Sequence, residues 1–188
     1  MRGAVVVVRL QRPFYDRDTV ELAIALLGRV LVVGGRRCRV VDDEAYVKND
    51  RANHAYRGMT PRNRSMFGPP GTLYVYMVHN HFCMNVVRGG GEAVLIRALE
   101  PLQPVDGRLD GPGRLCKTLG IDRSYDGLDL CSSDRVWFED DCYRVRRVAV
   151  TRRIGVTRDV NRLLRFYIYG SPWVSRKNSP PVRRVIEM

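Results

Sequence analysis

Thr72-Leu73-Tyr74-Val75-Tyr76-Met77-Val78, His79-Asn80-His81, Phe82-Cys83-Met84-Asn85-Val86-Val87-Arg88, Gly89-Gly90-Gly91, Glu92-Ala93-Val94-Leu95-Ile96-Arg97-Ala98-Leu99: this continuous run decides the fold. Its three long segments are rich in aromatic and β-branched residues, which fit a pleated, half-buried surface. Turn residues separate them. The pattern predicts three strands, 72–78, 82–88 and 92–99, joined by a tight turn at His79-Asn80-His81 and a glycine turn at 89–91. Such a series is an antiparallel meander.

The same logic extends upstream. Arg29 to Val33 and Arg36 to Tyr46 read as two strands joined by Gly34-Gly35, which suit the positive φ angles of a hairpin turn. Asp42, Asp43 and Glu44 lie at the far end of the second strand. Residues 48 to 60 are polar and read as a loop. Thr60-Pro61 has the form of an N-cap followed by proline at the first helical position, so a short helix to Phe67 is expected. Gly68-Pro69-Pro70-Gly71 then breaks the chain. Nearer the start, Asp18 can cap a helix with Glu21 three residues later, Val20, Ala23, Ile24 and Leu27 inward, and Gly28 as its stop. Residues 1–13 read as a strand and a loop at Arg12-Pro13.

Downstream, Gly111 to Gly120 predicts a short helix with Leu115 and Leu119 inward. Residues 121–134 are turn-rich. Strands are expected at 135–138, 144–150 and 164–169, and a basic tail at about 176–188. No internal repeat or low-complexity segment is present. The expected fold is α+β: a single domain over residues 1–188, with a curved, mostly antiparallel β-sheet and short flanking helices.

Composition narrows the function. With 188 residues and 45% apolar content, one core can be buried. The formal charge is +12. Of 32 basic residues only Lys48, Lys117 and Lys177 are lysines, which leaves 29 arginines. Arginine's planar fork suits bidentate contact with phosphate, and a basic chain of this size most often meets nucleic acid. No apolar run reaches the ~18 residues of a membrane span. Val5 to Val8 is too short for a secretion signal. An intracellular protein is expected, in cytoplasm, nucleoid or nucleus. The five cysteines (Cys38, Cys83, Cys116, Cys131, Cys142) show no C-x-x-C pair and no Cys/His cluster, which argues against zinc. They fit reduced thiols, most of them buried as small hydrophobes.

Two features carry chemistry. Alternate strand residues face the same way, so Asp42, Glu44 and Tyr46 share one face and Tyr74 and Tyr76 share another. Converging tyrosine faces can sandwich a base, although tyrosines at period 2 also serve plain packing. A carboxylate beside aromatic rings can activate water or stabilise a cationic sugar transition state. Arg97 interrupts the apolar run Val94 to Leu99, where a cation is costly unless paired. Glu44 is the candidate partner; a purely structural salt bridge is the alternative.

Several blocks occur in one order: Glu44-Ala45-Tyr46, Thr60-Pro61-Arg62-Asn63-Arg64, Gly71 to Tyr76, Phe82-Cys83-Met84-Asn85, Leu95 to Pro101, and Arg165-Phe166-Tyr167 with Gly170 to Ser175. In these the chain resembles the alkyladenine (3-methyladenine) DNA glycosylase family of base-excision repair, the group that includes the vertebrate enzyme. The resemblance runs from about Phe14 to Ser175. It implies a metal-free, cofactor-free, monofunctional hydrolase without lyase activity, monomeric, acting on double-stranded DNA that contains damaged purines. The bond cut is the N-glycosidic bond of a flipped-out alkylated purine, of 3-methyladenine or 7-methylguanine type, with hypoxanthine or ethenoadenine as further substrates.

By that match Glu44 is the general base for the attacking water and Arg97 helps to hold the water. Tyr46 and Tyr76 stack on the base, His54 is the pocket histidine, and Asn85 crowds out the exocyclic amine of guanine. Thr60, Arg62 and Arg64 lie where the family approaches the DNA backbone. The family's tyrosine wedge has His79 as its nearest match, in a turn that is one residue shorter. Two rivals remain at this point. A metal-dependent nuclease would use Asp42 and Glu44. A non-enzymatic nucleic-acid-binding module would need only the charge and the tyrosines.

Overall fold

The computed structural model describes residues 7–175 and 179–188, so the leading part of the expected first strand and part of the basic tail lie outside the described residues. The strand that joins the rest is β3 (Arg36–Tyr46), buried from Cys38 to Ala45. One edge of β3 pairs with β6 (Glu92–Pro101) over almost its whole length. The other edge is shared. Residues 36–39 pair with β2 (Val30–Val33), and Asp42 to Glu44 pair with β9 (Arg165–Ile168). The sheet therefore forks at β3. One branch runs through β2 to β7 (Val136–Asp140) and β1 (Val8–Arg9). The other runs through β9 to β8 (Arg147–Thr151) and β10 (Arg184–Glu187). Beyond β6 lie β5 (His81–Gly89) and β4 (Leu73–Val78). Every pairing is antiparallel. The result is an α+β fold of one domain, a curled sheet with few short helices.

Inside the curl, Leu31, Val40, Val86, Val94, Ile96, Leu99, Phe138 and Phe166 belong to one apolar cluster. Helix α2 (Thr19–Leu26) closes it, with the Asp18 carboxylate accepting from Val20 N at 2.9 Å. Of the expected inward residues, Ala23 and Leu27 are buried, while Val20 and Ile24 are half-buried against the core and Leu22 and Leu26 are fully buried beside Ala23. Helix α3 (Pro112–Leu119) buries Leu115, Cys116 and Leu119 and ends on Gly120 in the left-handed region, φ 71°. Gly34 and Gly35, at φ 53° and 79°, make the β2–β3 hairpin as anticipated.

Four expectations need correction. Arg12-Pro13 is not a loop: Arg12–Tyr15 forms a one-turn helix, α1, with proline in its first turn. The 60–67 helix shrinks to a 3-10 turn at Arg64–Phe67. Asn63 causes this, because its Oδ1 accepts from Thr60 N at 2.6 Å and its Nδ2 donates to the carbonyls of His54 and Gly58. The β4–β5 turn has two residues, not three, since Val78 pairs with His81. The described part of the C-terminal tail is not all coil; β10 extends the sheet beside β8.

Candidate active site

β3 and β6 meet irregularly beside the candidate acid, Glu44. The register passes from Val40↔Leu99 to Asp42↔Ala98 and then to Asp43↔Ile96, which leaves Val41 and Arg97 without directly opposed partners. Bulges of this kind re-aim side chains beside active sites. Arg97 turns toward the Glu44 face, and its Nη1 lies 3.2 Å from Glu44 Oε1. Both are buried, Glu44 completely.

Two further donors hold the Glu44 carboxylate. Ile154 N donates to Oε1 at 2.8 Å, and Tyr46 Oη donates to Oε2 at 3.0 Å. Burial, reinforced by the Glu44 charge, pushes the Tyr46 hydroxyl well above its ordinary pKa, so it stays a donor. Burial likewise raises the Tyr76 hydroxyl.

Tyr46, Arg97 and Ile154 form part of the wall of a cleft of about 630 Å³, and Glu44 sits behind them. His54, Tyr76, His79 and Asn85 line the same cleft. Tyr74 and Tyr76 stack with ring centroids 5.5 Å apart, and the His54 ring meets Tyr76 edge-on at 4.4 Å. His54 Nδ1 is 3.1 Å from Tyr74 Oη. Partial withdrawal from water lowers the His54 pKa, and the nearby Arg62 charge lowers it further. Asn85, which lines the cleft, donates to Tyr74 O at 3.1 Å.

Thr60, Arg62 and Arg64 are exposed and do not line the cleft. Arg62 donates to Met77 O on the hairpin that carries His79. That hairpin tip also exposes Met77 and Val78.

The acidic run does not converge on one point. Asp42 receives Arg165 Nε at 2.9 Å and Nη2 at 2.6 Å, together with Ser175 N at 3.1 Å. Asp43 points to the other face, where its cross-strand neighbours are Ile96 and Phe166. Among the described residues, no group of three His, Cys, Asp or Glu side chains is placed to hold a metal ion. The geometry therefore offers the nuclease reading no shared carboxylate site.

Sequence reading missed the segment after β8. Ile154 to Arg158 forms one side of the cleft and supplies the Ile154 amide. Asn53 was also missed. Its side chain donates to the carbonyls of Tyr46, Val47 and Gly91 and accepts from Ala55 N, which fixes the loop next to His54.

A curled antiparallel sheet with a buried acid behind an aromatic cleft, on a strongly basic chain, fits a hydrolase that acts on nucleic acid, and comparison with known proteins identifies it as one of DNA repair. The profile of the family described as methylpurine-DNA glycosylase (MPG) matches residues 13–172. A Mesorhizobium japonicum protein provisionally named a 3-methyladenine DNA glycosylase is 44% identical over 182 residues, covering 86% of this chain and 88% of its own length. A Legionella pneumophila (strain Corby) protein with the same provisional name is 42% identical, covering 89% of this chain and 98% of its own. The DNA-3-methyladenine glycosylase of Mus musculus is 41% identical over 203 residues, covering 89% of this chain and 61% of the mouse protein.

The chain thus belongs to the methylpurine-DNA glycosylase family. It is a DNA glycosylase, a hydrolase of DNA repair. Among the described residues no helix is long and apolar enough to cross a membrane.

Proposed function

We propose that this enzyme takes a damaged purine flipped out of duplex DNA into the Tyr46–Tyr76 cleft and hydrolyses its N-glycosidic bond with a water activated by Glu44. The observation that carries this reading is the occupancy of the Glu44 carboxylate. A carboxylate has about four acceptor sites. Two on Oε1 are taken by Arg97 and Ile154 N, and one on Oε2 by Tyr46. The remaining site, on Oε2, accepts the water proton as the water oxygen bonds to the sugar carbon. The base leaves with the electrons of the broken bond.

A 3-methyladenine or 7-methylguanine base carries a positive charge. It is attracted to tyrosine rings and leaves as a neutral molecule. Asn85, in the cleft lining, excludes the exocyclic amine of guanine. Hypoxanthine and ethenoadenine, being neutral, need more help to leave and are the weaker substrates. Among the described residues no lysine lines the cleft, which supports a monofunctional reaction that leaves the abasic site intact. Thr60, Arg62 and Arg64 face the DNA backbone, and His79 fills the gap left by the flipped nucleotide.

The test is to incubate methylated and inosine-containing duplexes with the protein and identify the bases set free. Release of 3-methyladenine and 7-methylguanine without strand cleavage is expected. Glu44→Gln should lower release by about 10²–10⁴-fold while duplex binding persists. Turnover retained in that variant removes Glu44 from the role, and prompt strand cleavage by the pure enzyme contradicts the monofunctional reaction.

A further inference from the structure

Arg153 and Asp50 form a fully buried ion pair, with Arg153 against the ring of the cleft-lining Tyr46. Neither carries the chemistry proposed above, and a buried pair is by itself poor evidence of added stability. Its placement is more informative. Arg153 Nη1 and Nη2 both reach the Asp50 carboxylate, and Nη1 also donates to Ala45 O at 3.1 Å. The guanidinium carbon lies 4.6 Å from the centre of the Tyr46 ring, which gives one face of that ring a cationic backing. The next residue, Ile154, is the amide donor to Glu44. Asp50 belongs to the loop that carries Asn53 and His54. Arg51 N in that loop donates to Asp159 Oδ2 at 2.7 Å, a second tie between the same two segments.

We infer that Asp50 and Arg153 are positioning residues of the glycosylase site: the pair fixes the plane of Tyr46 for stacking and the Ile154 amide for Glu44, and it locks the 48–59 loop to the 152–159 segment. Arginine suits this role because one planar fork serves the carboxylate, the Ala45 carbonyl and the ring together. A lysine keeps the charge but has a single point donor and no plane to lie along the ring. The Asp50 charge balances the guanidinium, so Tyr46 can still attract a cationic base on its open face.

This inference rests on the stacking and general-base reading of Tyr46 and Glu44, and the test separates the two. Arg153→Lys and the charge-neutral double variant Asp50→Asn/Arg153→Gln are compared with the parent protein and with Glu44→Gln. Binding is measured to one duplex carrying a single 7-methylguanine and to the same duplex with a stable abasic analogue, which has no base to stack. Single-turnover base release is measured alongside. For both variants affinity for the methylated duplex should fall about tenfold, the scale of one stacking contact. Affinity for the abasic duplex should stay within about twofold, and single-turnover release should slow by about tenfold or more, the cost of a misplaced catalytic group.

Equal losses on both duplexes, or no loss on either, overturn the inference. So does failure of both variants to fold, which would assign the pair to stability alone. If Glu44→Gln still releases base, the general-base reading has failed instead.

Discussion

Asp43 and Glu44 are chain neighbours with opposite surroundings. Strand alternation sends Glu44 to three donors, whereas Asp43 enters the apolar side, where neither carboxylate oxygen has a hydrogen-bond partner. Burial pushes the Asp43 carboxyl well above the usual carboxylate range; the Asp42 and Glu44 charges push the same way, and Arg165 opposes them. In this window the native state holds a proton that the unfolded chain has lost. Stability therefore falls as pH rises from the unfolded value near ~3.9 toward the raised native value. Asp43→Val removes the buried carboxyl from a strand position that favours β-branched residues. The variant should be more stable than the parent by about 1–3 kcal/mol at pH 8, with a smaller gain at pH 5. Urea unfolding at both pH values measures this, and a gain that does not grow with pH contradicts the assignment. At this scale the Glu44–Arg97 contact was legible, because a lone cation in an apolar run demands a partner. Arg153 was not. It stands in Thr151-Arg152-Arg153-Ile154 like many other arginines of the chain, and its carboxylate lies 103 residues away.

The proposed flipping mechanism rests on the β4–β5 hairpin. His79 and Asn80 make its whole turn with φ of 46° and 60°, a conformation that favours glycine and tolerates asparagine. His79 therefore holds a strained position at the tip while lining the cleft. His79→Ala should weaken binding to damaged duplex several-fold and leave binding to the damaged single strand nearly unchanged, since only the duplex has a gap to fill. Equal losses in a titration of both forms would sink the wedge role. Asn80→Gly should raise stability by about 0.5–1 kcal/mol without slowing base release, as seen by thermal unfolding and single-turnover assay. The hairpin's strands were readable because local composition and turn residues agree. The short strand β10 and the fork at β3 were not. Three or four residues pair there with segments far along the chain, such as Asp42 with Tyr167 and Arg184 with Val150. The Thr60-Pro61 helix signal was outcompeted by the side chain of Asn63, a local hydrogen-bonding choice that periodicity does not register.

Over the whole molecule, the exposed charge and the proposed chemistry occupy different dielectric settings. The net charge of +12 is carried largely by arginines, and Arg51 and Arg158 at the cleft, like Arg62 and Arg64 beside it, are exposed to salt. Glu44 and Arg97 are shielded from it by burial. Screening acts on exposed charges and hardly on buried pairs. Raising salt from 50 to 200 mM should therefore weaken duplex affinity by at least about tenfold through counterion return to the phosphates. The rate of base release from duplex already bound at saturating enzyme should change by less than about twofold if it is set by Glu44 behind the cleft wall, as proposed. Filter binding and single-turnover release over the same salt series separate the two quantities. Parallel falls in both would mean that exposed arginines reach into the bond-breaking step, and the division between a phosphate-reading surface and a shielded reaction centre would have to be abandoned.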